Sequence, residues 1–137
     1  MTFLLDTNVV SEIRKRRPDP QVLRWFAGAR STDLYLSVLV VGEIRQGVER
    51  LRARDPERAG SIDTWLDQLL ARFRDRIVTV SLEVAQTWGR LNAGDPLPPV
   101  DSLLAATALT HDWTLVSRNE KHLAHTGVRL LNPFSDA

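Results

Sequence analysis

The chain has 137 residues and a mass of 15.5 kDa, with 43% hydrophobic and 26% charged residues, the proportions of one globular domain and not of a disordered or fibrous chain. Cysteine is absent, which excludes disulfide frameworks, thiolate zinc sites and cysteine nucleophiles. Lys and Arg total 18 against 17 Asp and Glu, so the formal charge of +1 advertises no acidic partner. Apart from Lys15 and Lys121 every cation is Arg, a bias that GC-rich coding explains as readily as phosphate binding does. A chain of this size hides roughly two-thirds of its unfolded surface and needs no staple. We therefore expect a single domain over residues 1–137. Met1 to Leu5 runs straight into Asp6, without the basic and apolar stretches of an export signal. No apolar run is long enough to cross a bilayer, and the expectation is a cytoplasmic protein.

In chain order, short apolar runs alternate with longer amphipathic ones, the pattern of an α/β domain with a mostly parallel sheet. Phe3–Leu5, Leu34–Leu36, Ile77–Val80, Thr114–Val116 and Val128–Leu131 are the five predicted strands. Asp6, Thr7 and Asn8 after the first favour a turn or a helix cap. Val41, Ile44, Val48 and Leu51 recur at helical spacing with Ser37 as N-cap. Ile62, Leu66, Leu69, Leu70 and Phe73 mark a second helix preceded by Pro56, and a third starts after Pro98-Pro99 with Asp101 in its first turn. Trp25, Trp65, Trp88 and Trp113 lie in or beside these stripes and suit core packing or a dimer surface. His111, His122 and His125 lack metal-ligand spacing and read as surface or capping residues.

Three acids stand where strands end or helices begin. Asp6 follows a buried strand directly, at the sheet edge where α/β proteins bind ligands; it is either a site residue or the cap of the next helix. Glu43 borders an apolar helical stripe between Gly42 and Gly47. Each glycine weakens the helix by up to about 1 kcal/mol relative to Ala, which close packing with the carboxylate aimed inward would offset. Asp101 is either a helix-opening acid or a site residue, and Ser117-Arg118-Asn119 is either a polar loop or a fourth contributor. Brought together, Asp6, Glu43, Asp101 and Asn119 form an all-oxygen cluster that suits Mg²⁺ or Mn²⁺ better than zinc. A divalent ion would relieve the mutual repulsion of the three carboxylates.

Five motifs in order then resemble one family: Phe3-Leu4-Leu5-Asp6-Thr7-Asn8-Val9-Val10-Ser11-Glu12; Leu36-Ser37 leading to Gly42-Glu43-Ile44-Arg45-Gln46-Gly47; Asp101-Ser102-Leu103-Leu104-Ala105-Ala106-Thr107-Ala108-Leu109; Thr114-Leu115-Val116-Ser117-Arg118-Asn119; and Leu131-Asn132-Pro133-Phe134. The chain resembles the PIN-domain ribonucleases, and within them the VapC toxins of bacterial type II toxin-antitoxin modules, the FitB-like members in particular. The resemblance implies a PIN-like fold, with metal-binding acids at Asp6, Glu43 and Asp101. At Asn119 the family often has Asp, or an Asp slightly later where this chain has His122; Glu120 is adjacent. It further implies Mg²⁺-dependent cleavage of RNA by a metal-activated water, with Asn119 positioning water or phosphate oxygen. The implied partners are a small VapB-like or FitA-like antitoxin, a second copy in a homodimer, and promoter DNA reached through the antitoxin.

An RNA substrate needs local cations, because the total charge supplies none. Arg14-Lys15-Arg16-Arg17 and Arg45, Arg50, Arg52, Arg54 and Arg58 are the candidates for phosphate contacts, and Arg118 is next to the expected centre. Residues 1–60 carry +3 and residues 61–137 carry −2. Two other readings stay open: a PIN-like module that binds without cleaving, and a phosphatase with Asp6 as nucleophile. The latter lacks its second acid, since Asn8 stands there.

Overall fold

A computed structural model describes residues 1–134; the last three residues of the expected domain, 135–137, lie outside the described residues. Strand β1 (Phe3–Leu5) leads into helices α1 (Thr7–Arg14) and α2 (Pro20–Gly28). Strand β2 (Leu34–Ser37) follows, then α3 (Val38–Arg52), α4 (Pro56–Arg72), β3 (Ile77–Val78), α5 (Leu82–Leu91) and α6 (Pro99–His111). The chain closes with β4 (Thr114–Val116), α7 (Glu120–Leu123) and β5 (Arg129–Leu131). All neighbouring strands pair in parallel, in the order β3-β2-β1-β4-β5.

That order makes β1 the pivot. The chain builds outward through β2 and β3 on one side, then returns to add β4 and β5 on the other, so the topological switch point lies between β1 and β4. Connections leave the strand ends there in opposite directions and open a crevice. Leu5 pairs with Val116, so the next residues, Asp6 and Ser117, emerge side by side at its lip.

The core forms because the strands are apolar on both faces, as parallel strands covered by helices must be. Leu4, Leu5, Leu36, Leu115 and Val116 are fully buried, joined by Val9, Val40, Leu66 and Leu104 from the helices. Helix α6 presents Leu104, Ala105, Ala106 and Ala108 to the interior, small side chains that bring its backbone near the sheet. Ser37 caps α3 by accepting from the Leu39 amide at 3.0 Å, as its position predicts.

The five strands match their expected places with shifts at the ends. β3 stops at Val78, because Val80 faces solvent and Ser81 caps α5 through the Val84 amide at 3.1 Å. β5 begins at Arg129, with Val128 buried just before it. The buried stripe of α3 runs Val40, Ile44, Val48 and Leu51, not through Val41. Helices α1, α2 and α5 are not among the elements expected from the sequence. In α2 the signal is a cap, Asp19 accepting from the Gln21 and Val22 amides, with Pro20 in the first turn.

Trp25 packs edge-on against Phe3 and Phe26, and Trp113 stacks between Tyr35 and His111. Trp65 adjoins the core, while Trp88 is partly exposed and donates to Ser102 Oγ at 2.9 Å. Among the described residues, no helix is long and apolar enough to cross a membrane.

Candidate active site

Asp6 sits at the switch point with 3% of its surface exposed. Its Oδ1 accepts from the Thr7 amide at 2.7 Å and its Oδ2 from the Ser117 hydroxyl at 2.6 Å. It is therefore both the N-cap of α1 and a buried, doubly held acid; the two readings of its sequence position coexist. Burial pushes its pKa up to about 6 against the lowering pull of Ser117, with the charges of Asp101 and Glu43 adding to the rise.

Glu43 reaches the same crevice from α3, where it is half-buried. Its Oε1 accepts from the Thr7 hydroxyl at 2.5 Å. Thr7 thus serves both acids, its amide on Asp6 and its hydroxyl on Glu43. The carboxylate does point inward, but the glycines beside it do not mark close packing. A Cβ at Gly42 or at Gly47 would meet nothing within 4 Å, so these positions leave open space beside the acid.

Asp101 enters from the first turn of α6. Burial raises its pKa, the charge of Glu43 raises it further, and His122 pulls the other way. Three segments distant in sequence thus deliver acids that feel one another electrostatically. Among the described residues no three His, Asp or Glu side chains close into a cage, and both Asp6 and Glu43 commit an oxygen to a hydroxyl partner. Carboxylate oxygens have two lone pairs each, so acceptor capacity remains. Two aspartates raised in pKa by burial and by neighbouring carboxylates, with Glu43 beside them, form an oxygen donor set that fits a hard divalent cation.

Asn119 is drawn to the group through Ser117, whose Oγ accepts from the Asn119 backbone N–H at 3.0 Å. Glu120 does not substitute for a fourth acid: it is exposed, and its Oε2 accepts from Asn132 at 3.5 Å. The Arg118 amide lies 3.4 Å from Asn8 Oδ1, and its guanidinium stacks over Phe134 at 4.5 Å. Sequence alone does not single out Thr7, Ser117 or His122 as members of the site. Ser117 is accessible in principle, since it follows a strand as Asp6 does, but only the pairing of β1 with β4 makes them neighbours.

Of the expected phosphate contacts, Lys15 pairs with Glu12, and Arg16, Arg17 and Arg50 are exposed away from the cleft; the other five divide into two groups. Arg45 and Arg52 are committed to Glu49 and Asp63, at 3.0 to 3.3 Å, and are not available as free cations. Arg14, Arg54 and Arg58 instead line a cleft of about 250 Å³ together with Thr7, Ser11, Glu43 and Gly47.

Against known proteins, residues 3–128 match the family model described as PIN domain. The chain is 30% identical to Toxin FitB of Neisseria gonorrhoeae over 98% of its length and 99% of the relative's. It is 29% identical to VapC ribonuclease Y4jK of Sinorhizobium fredii, covering 98% and 99%. The structure of FitAB bound to an IR36 DNA fragment contains a chain that superposes with a TM-score of 0.87 at 29% identity, covering 96% of this chain and 95% of that one.

Proposed function

Because the chain belongs to the PIN-domain family, we propose that it is the toxin of a type II toxin-antitoxin module and cleaves RNA as a metal-dependent endoribonuclease. The observation that carries this reading is the convergence of Asp6, Glu43 and Asp101 at the switch point, both aspartates raised in pKa by burial and then by the charge of neighbouring carboxylates. Asp6, Glu43 and Asp101 would hold the cation, Mg²⁺ with Mn²⁺ as substitute. Such an ion supplies Lewis-acid chemistry, activating water and neutralising charge on the phosphate.

The protein's own part is orientation. Ser117 and the Thr7 amide fix both oxygens of Asp6, and the Thr7 hydroxyl fixes Glu43. Asn119, tethered to Ser117, presents a neutral amide toward a water or phosphate oxygen, and Arg118 contributes a phosphate contact at the rim. Hydrolysis by water, and not by the ribose 2′-hydroxyl, leaves a 5′-phosphate and a 3′-hydroxyl. The partners we assign are a VapB-like or FitA-like antitoxin, a second copy of the chain, and promoter DNA through the antitoxin. The solved structure of FitAB bound to a DNA fragment supports a protein partner and DNA by similarity. We further assign residues 1–137 to one domain and place the protein in the cytoplasm.

The test is incubation of purified protein with RNA in Mg²⁺ or in EDTA. Cleavage is expected in Mg²⁺ alone and is lost in Asp101→Asn; cleavage undiminished by either change overturns the reading. Asn119 in place of an acid favours one rival, a fold that binds without cutting. Calorimetry with Mn²⁺ separates them, because the rival shows no binding that depends on Asp6 and Asp101.

A further inference from the structure

The cleft beside Glu43 has walls of opposite character at its two ends. Helices α1 and α3 both run away from the strand ends, and the Thr7–Glu43 hydrogen bond ties them together at the carboxylate end. Thr7, Ser11 and Arg14 are spaced four and three residues apart on α1, so they share one face. Seven residues of helix carry Arg14 about 10 Å beyond Thr7 along the axis. There it meets Arg54, just past the end of α3, and Arg58 on the first turns of α4.

These three guanidinium groups differ from the other arginines of the same surface. Arg45 and Arg52 are neutralised by Glu49 and Asp63, whereas among the described residues Arg14, Arg54 and Arg58 have no carboxylate partner. Arg14 is half-buried, and burial and the charge of Arg58 both push its pKa down. Like charges gathered in a concave site without a counter-ion are destabilising by themselves. Gly47 keeps the floor open, since a Cβ there would meet nothing within 4 Å, and Ser11 adds a hydroxyl donor. The donor set is planar guanidinium forks and hydroxyls, which match phosphate oxygens.

We propose that Arg14, Arg54 and Arg58 form a binding subsite for a backbone phosphate of the RNA, flanking the bond to be cut and reached through the cleft past Thr7 and Glu43. This rests on the ribonuclease reading above, since it assigns the strand's path from the carboxylate cluster. The alternative occupant, an acidic segment of the antitoxin, is less favoured. The cleft is small and continuous with the carboxylate site, whereas a peptide clamp would need an extended surface.

The experiment measures binding of a labelled, random-sequence single-stranded RNA in EDTA across a series of KCl concentrations. It compares the wild type with Arg14→Gln/Arg58→Gln and with Arg45→Gln/Arg52→Gln. The first variant is expected to bind roughly tenfold more weakly at low salt, with the slope of log affinity against log salt reduced by about 0.7 for each phosphate it no longer neutralises. The second should keep the wild-type slope. Thermal unfolding should show the first variant at least as stable as the wild type, because repulsion between Arg14 and Arg58 is removed, and Arg14→Lys/Arg58→Lys should recover part of the slope. An unchanged slope in Arg14→Gln/Arg58→Gln overturns the subsite, and does so equally if that variant instead loses affinity for the antitoxin. Mg²⁺-dependent cleavage with an unchanged slope removes the subsite alone. Salt-sensitive binding through Arg14 and Arg58 without cleavage removes the ribonuclease reading and leaves the subsite. No RNA binding by the wild type in EDTA removes the subsite, while the ribonuclease reading stands or falls on cleavage in Mg²⁺.

Discussion

Replacing Asp6 by Asn separates what this carboxylate does for function from what it does to the fold. The side chain is 3% exposed, and its pKa is raised from 3.8 to about 6. A folded-state pKa above the unfolded one means that the folded protein binds more protons between these values, so stability falls as pH rises from about 4 to 6. Above pH 6 the ionised carboxylate costs the metal-free fold its full penalty, about two pKa units at ~1.4 kcal/mol each, or about 3 kcal/mol. Asn removes that charge and keeps the N-cap bond from the Thr7 amide through its single oxygen, while its Nδ2 takes the place of Oδ2 and donates to the Ser117 oxygen, whose hydroxyl turns to accept. In EDTA at pH 8 the variant should therefore be more stable by about 2–3 kcal/mol, a rise of ~6–10 °C in melting temperature. At pH 4 the difference should vanish. Mg²⁺ should then stabilise the wild type by RT ln(1 + [Mg²⁺]/Kd) and leave Asp6→Asn unmoved, while cleavage by the variant is lost. Urea unfolding read by circular dichroism at pH 4, 6 and 8, with and without Mg²⁺, is the assay. A variant that is no more stable than wild type at pH 8 in EDTA, or an advantage that persists undiminished at pH 4, refutes the reasoning.

Ser117→Ala deletes the hydroxyl that donates to Asp6 and accepts from the Asn119 backbone N–H. Since this bond holds the Asp6 pKa down, the acidic limb of the pH–rate profile should move upward and cleavage should fall about tenfold or more; an unmoved profile contradicts the role given to Ser117. Glu12, buried and standing out in the sequence only as part of a motif, accepts from Lys15 Nζ at 2.8 Å and from the Asp19 amide at 2.9 Å, and the Lys15 bond lowers its pKa. Glu12→Ala should lower stability by about 1–3 kcal/mol by leaving the Asp19 amide without this acceptor at the turn into α2. With a folded pKa below 4.5, the native contribution is present above that value and lost as pH falls, so the gap between wild type and variant in urea melts should narrow in acid.

The sheet is legible because parallel strands covered on both faces are continuous apolar runs, and Phe3–Leu5 and Thr114–Val116 stand out between polar turns. The helices α1, α2 and α5 are less legible. They are 8 to 10 residues long, so each shows its apolar face over only two to three turns. Asp6, Glu43 and Asp101 can be nominated from their places at strand ends and helix starts. Their dependence on Thr7 and Ser117 cannot, because it is created by pairing between segments far apart in the chain, as in the Ser117 to Asp6 bond. The glycines mislead for a related reason. A chain position says that a side chain is missing, but only the surrounding structure tells whether the space is filled by a neighbour or left open to a cleft.

The same distinction resolves the near-neutral charge. A total of +1 counts every ion alike, yet Arg45 and Arg52 are cancelled locally by Glu49 and Asp63, while among the described residues Arg14, Arg54 and Arg58 stand together without an ion-paired carboxylate. Toward the carboxylates the sign reverses, because Glu43 lines that end of the cleft and, past it, Asp6 and Asp101 hold negative charge that burial makes costly. A polyanion laid along this path meets attraction at one end and repulsion at the other. Only a cation on the carboxylates makes the whole path favourable, shifting three negative charges to a net of about one. Metal binding and RNA binding should therefore be coupled, each raising the affinity for the other as linkage requires. RNA affinity measured in EDTA thus reports the arginine end, and its increase on adding Mg²⁺ reports the carboxylate end. An Asp101→Asn protein whose RNA affinity in EDTA is higher than wild type, and insensitive to Mg²⁺, is the expected signature; equal sensitivity in both proteins contradicts the coupling.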